Sequence, residues 1–183
     1  MHITARLEEA TVNELLGELL PVTILLDEER ERGRWVRIEP ASQIDFVADR
    51  GVRVHTSGQL QWLAAGVPIT FTLNSVRLLL RPEIAGDPHG GRLVFRPALE
   101  ELDLKHVPGF LDRGVAGIIN GKLAAQGDEL AWDFGRALAV NVLLPASITP
   151  LEAFQLSVRA ARVAVLADAI ELTATFDAQF SRK

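Results

Sequence analysis

The chain has 183 residues, 48% of them hydrophobic and 23% charged, which is enough apolar material for a core and excludes a disordered segment. A net charge of -5 and a pI near 5.4 argue against nucleic-acid binding, which needs a basic footprint, and against non-specific attraction to anionic lipid. With no cysteine there is neither disulfide nor thiolate chemistry, and without tyrosine a common acid or base is gone. The mean hydropathy of +0.17 implies a large core or apolar surface lining a cavity or contact face.

In chain order, Ile3 to Leu7 alternates as a strand. Thr11-Val12-Asn13-Glu14 has the form of a capping box and predicts a first helix over 11–20, ended by Pro21. Val22 to Leu26 and then 35–39 read as strands around an acidic-basic turn over 27–33. Ile44 to Ala48 alternates, Asp49-Arg50-Gly51 turns, and Val52 to Ala64 continues as strand. After Gly66 the strand pattern runs to Leu80, with a phase slip near Asn74. The stretch 83–91 reads as a loop, and Leu93 to Leu104 returns to strand.

A second helix is predicted over 108–123, with Pro108 in its first turn. Gly114, Gly117 and Gly121 weaken it by about 1 kcal/mol each relative to alanine. The three glycines would also let strands approach closely. Leu130, Trp132 and Phe134 alternate, as do Val140 to Leu144. The chain closes with alternating segments around a hairpin tip at Ala167-Asp168. No linker or boundary interrupts residues 1–183, so one domain is expected. The fold class is α+β: two principal helices on a long antiparallel sheet, coiled strongly enough to wrap around a helix.

The runs Leu93 to Leu104, Val107 to Asp112 and Ile118-Ile119-Asn120-Gly121-Lys122-Leu123, with Val12 to Leu16 and Leu143-Leu144-Pro145, resemble the tubular lipid-binding superfamily. That group includes bactericidal permeability-increasing protein, and the chain is most similar to its small single-domain bacterial members. The resemblance covers most of the chain. It implies a highly curved antiparallel sheet around a helix, enclosing an apolar tunnel for lipid. Larger members carry two modules and sometimes a disulfide, and many bacterial members are exported. This chain has one module, no cysteine and no signal-peptide pattern at Met1 to Arg6. A cytoplasmic location is therefore expected, with the periplasm as the alternative if a leader was removed. No window holds the ~20 uncharged apolar residues of a membrane helix.

No motif carries catalytic chemistry. His2, His55, His89 and His106 lack metal-ligand spacing, and no serine has nucleophile-elbow context. An enzyme, a metal and a cofactor are not expected. Candidate lining residues for an apolar ligand are Leu16, Leu20, Phe71, Leu73, Phe95, Ile118, Ile119, Leu156, Val158, Ile170 and Leu172, each of which singly also fits plain core. Arg77, Arg81, Arg92 and Arg96 would converge on one outer patch if 83–91 is a hairpin connection. They suit an anionic headgroup or acidic partner, against the simpler reading of a solvated face. The alternative function is a scaffold with a filled core that binds partners, or a second copy as a homodimer, through a sheet edge.

Overall fold

The computed structural model describes residues 1–26, 33–86, 91–104, 109–125, 131–143, 145 and 151–182. The elements in chain order are β1 (His2–Glu8), α1 (Glu9–Leu19), β2 (Val22–Leu25), β3 (Trp35–Ile38), β4 (Gln43–Val47), β5 (Gly51–Ala64) and β6 (Val67–Ala85). There follow β7 (Arg92–Leu104), α2 (Gly109–Ala125), β8 (Ala131–Trp132), α3 (Phe134–Leu138), β9 (Val140–Leu143), β10 (Leu151–Val165) and β11 (Ala169–Arg182).

The strands form two antiparallel sheets rather than the one continuous sheet expected. One has the order β1-β11-β10-β9; the other runs β2-β3-β5-β6-β7-β8, with β4 also on β5. The long strands bend where an extra residue slips the register, because a bulge increases local twist. One such slip lies at Asn74 on β6, where the alternation predicts it, and it is registered against both neighbours, β5 and β7. Another, on β7, leaves Glu100 between the pairs Arg77–Glu101 and Leu78–Leu99.

Three apolar clusters hold the sheets and helices together. Val115, Ile119 and Leu123 of α2 pack with Val36, Ile38, Leu60, Leu73 and Leu102 of the larger sheet. Val12 and Leu16 of α1 meet Ile44, Val52, Val54 and, from the smaller sheet, Ile170. Phe134 joins Leu93 of β7 to Val158, Leu172 and Phe176. Phe134 is fully buried, and a Cβ added to Gly91 would sit 2.5 Å from its Cζ, so that glycine is a matter of space rather than of backbone angle.

Several local expectations are corrected. α1 starts at Glu9, directly from β1, and Glu8 at its N-cap makes no side-chain capping bond. Thr11 is thus already inside the first turn, so the capping box does not form, and the acidic Glu9 faces the helix's positive end instead. β6 runs on through Pro82, paired with Phe95, as far as Ala85, so only the end of the 83–91 loop remains, and 87–90 lies outside the described residues. Phe134 opens α3 rather than extending a strand, because Asp133 caps it by accepting the Arg136 N–H at 2.8 Å. Gly114, Gly117 and Gly121 have nothing within 4 Å of an added Cβ, so among the described residues no strand makes the close approach that they would allow. Pro108 lies outside the described residues.

Candidate ligand-binding site

Strand alternation and helix periodicity turn apolar side chains toward one interior, and among the described residues apolar clefts remain where those surfaces do not interlock, two of them between the larger sheet and α2. The first, about 200 Å³, lies between the end of α1, the larger sheet and the end of α2. Leu16, Leu19 and Leu20 line it from the first helix and its cap, Val22, Ile24 and Ile38 from β2 and β3, and Val54, Leu78, Leu80 and Pro97 from β5 to β7, with Leu123 from α2. Every one of these side chains is apolar. The second cleft, about 260 Å³, sits where α2 crosses β5 and β6 and is lined by Leu60, Trp62, Phe71, Leu104, Gly114, Val115 and Ile118.

Of the sequence-predicted lining residues, Leu16 and Leu20 face the first cleft, and Phe71 and Ile118 face the second. Leu73 and Ile119 are buried in the cluster around α2, and Ile170 in the cluster around α1. Phe95, Leu156, Val158 and Leu172 pack around Phe134. The remaining cleft walls, such as Val54, Leu78 and Leu123, carry the same alternation and period as the core, and Val54 and Leu123 belong to both. A cleft wall differs from plain core only where the facing surfaces fail to meet.

The predicted arginine patch is spread along two strands. Arg81 on β6 stands directly opposite Arg96 on β7, while Arg77 faces Glu101 and Arg92 faces Ala85. Arg77 is ion-paired with Glu101, and Arg96 Nε donates to Glu83 Oε2 at 2.7 Å. Arg81, Glu83 and Arg96 line a shallow groove of about 200 Å³ that Pro97 and Leu123 divide from the first cleft.

The same outer face carries a charge network that the sequence gives no sign of. The Glu100 side chain, re-aimed by its bulge, accepts from Arg50 Nη2 at 2.9 Å and Arg53 Nε at 2.7 Å. The Arg53 hydrogen bond and charge, with Arg50 and Arg77 nearby, hold its carboxyl below the usual glutamate range. Asp45 is lowered likewise by hydrogen bonds from Gln43 and His55, the His55 contact spanning 2.8 Å. Among the described residues no three His, Asp or Glu side chains cluster to hold a metal ion, and no helix is long and apolar enough to cross a membrane. His89 and His106 lie outside the described residues.

No protein-family model and no curated protein matches the chain. The crystal structure of a lipopolysaccharide binding protein aligns with it at a TM-score of 0.38 and 13% identity, over 98% of this chain and 50% of that one. The chain thus spans about half the length of that protein.

Proposed function

We propose that the protein binds an acyl-chain-like apolar ligand between its helices and the inner face of the larger sheet, without catalysis. The observation carrying this reading is the all-apolar wall of the first cleft, built from seven separate elements. In this reading the larger sheet curls around α1 and α2, and the clefts are the two ends of a chamber that widens when a chain enters. Affinity would come from burial, at about 0.8 kcal/mol per methylene. The resemblance of the sequence to the tubular lipid-binding superfamily points the same way. Binding would serve storage or transfer of the ligand.

A second reading, a scaffold with a filled interior, is favoured by size. The clefts, about 200 and 260 Å³, fall below the roughly 300–1,000 Å³ of ordinary small-molecule sites. Native mass spectrometry of protein purified without detergent, before and after addition of a fatty acid, separates the two. A discrete mass increment that organic solvent removes supports the carrier. An unliganded mass together with unchanged thermal stability on adding fatty acid overturns it and leaves the scaffold.

A further inference from the structure

The β5–β6 hairpin extends beyond the described strands that flank it. The last β3 pairing reaches Gln61, and the last β7 pairing reaches Leu73. Among the described residues, 62–72 therefore pair only with each other, as a two-stranded ribbon closed by Ala65 and Gly66, both at positive φ as a type I′ turn requires. From Val54 to Val76 there is no Asp, Glu, Lys or Arg, in a chain that is 23% charged. Projecting strands are ordinarily protected by charge; this one is not.

One face of the ribbon is a continuous apolar track. Leu60 pairs with Phe71, and Trp62 with Ile69. Exposure rises along the track, from 1% at Leu60 to 41% at Ile69 and 60% at Val67. At its base the track enters the second cleft through Trp62 and Phe71. Arg34 lies over the Trp62 ring, 4.7 Å from its centroid, a cation and an amphipathic aromatic paired at the level where the ribbon leaves the sheet.

We propose that this ribbon is the surface by which the protein docks on an electrically neutral lipid bilayer, and that an acyl chain passes along the track into the cleft under α2. The partner is a bilayer because the exposed apolar tip leads without interruption into an apolar cleft, and because the tip offers no charge for an acidic or basic partner. Among the described residues the ribbon's outer edges have no strand partner past Gln61 and Leu73, so it settles among headgroups rather than in hydrocarbon, where unpaired backbone groups are costly. With a protein charge of -5, attachment is apolar and insensitive to salt. This inference rests on the apolar-ligand reading above.

The experiment is flotation with phosphatidylcholine vesicles at low and high salt, comparing the native chain with the double variant Val67→Asp, Ile69→Asp. Retention of a fatty acid presented from solution is measured alongside. Both substituted side chains are exposed, and thermal unfolding verifies that the variant folds. The expected result is salt-insensitive flotation of the native chain, reduced at least about tenfold in the variant, with fatty acid still retained by both. Equal flotation of the two proteins, or none by the native chain, overturns the docking surface. So does a ribbon-dependent dimer in the absence of vesicles, which would make a second copy its partner. Loss of fatty-acid retention by the native chain would instead overturn the ligand reading itself.

Discussion

The side chain of Asn120 treats the backbone of Leu99 as a neighbouring strand would. Its Oδ1 accepts the Leu99 N–H at 2.7 Å, and its Nδ2 donates to the Leu99 carbonyl at 3.1 Å. Among the described residues β8 pairs only with Leu93 and Val94, so no described strand covers that edge over the later half of β7. One carboxamide thereby blocks strand addition there and fixes the height of α2 against the sheet.

Replacing Asn120 with Leu strands both Leu99 backbone groups. The expected cost is about 1–3 kcal/mol in urea unfolding, because a lost partner leaves half-buried polar groups unsatisfied. Faster amide exchange at Leu99 than in the strand interior checks that the edge, rather than the whole domain, has opened.

Phe134 ties the short α3 to both sheets. Phe134→Ala should cost about 3–5 kcal/mol through the cavity it leaves. Gly91→Ala should destabilise by overpacking against the same ring, about 1–3 kcal/mol. Combined, the two substitutions should cost less than their sum, since the alanine at 91 would enter space the ring has vacated. A double-mutant cycle by chemical denaturation reads the difference.

Acid sensitivity should be concentrated in Glu100 and Asp45. Both carboxyls are depressed in the folded state, so their stabilisation is complete above the unfolded carboxylate range and is lost as pH falls through the folded values. Glu100→Gln should cost no more than about 1 kcal/mol at neutral pH. It should also flatten the dependence of thermal stability on pH in the acid limb, measured by thermal scans from neutral to strongly acidic buffer.

Val22 is 41% exposed and lines the first cleft. Val22→Trp should occlude the cleft with little change in unfolding temperature, and should reduce retained fatty acid in native mass spectra. Undiminished retention would move the ligand to the second cleft.

Local chemistry wrote much of this fold into the chain. Alternation marks most strands, the slip at Asn74 is visible as a break of phase, and Ala167-Asp168 turns where expected, the Leu166 N–H donating to the Ala169 carbonyl at 2.8 Å. Period-two and helical patterns depend on neighbours in sequence, so they are readable there. The misread segments are those where tertiary context overrides a local signal. Thr11 is denied its cap because β1 feeds straight into α1, and Phe134 leaves its apparent strand because a pocket against Gly91 receives it.

The site divides in the same way. Sequence by itself determined which residues are apolar and on which face each lies, and so named Leu16, Leu20, Phe71 and Ile118. Only the tertiary structure decided that these four border clefts while Leu73 and Val158 are packed solid. The physical reason is that hydrophobicity sends a side chain inward without specifying what meets it. An unfilled space is a property of two surfaces brought together, and so are the Glu100 network and the Asn120 bridge to Leu99, whose partners lie many residues apart.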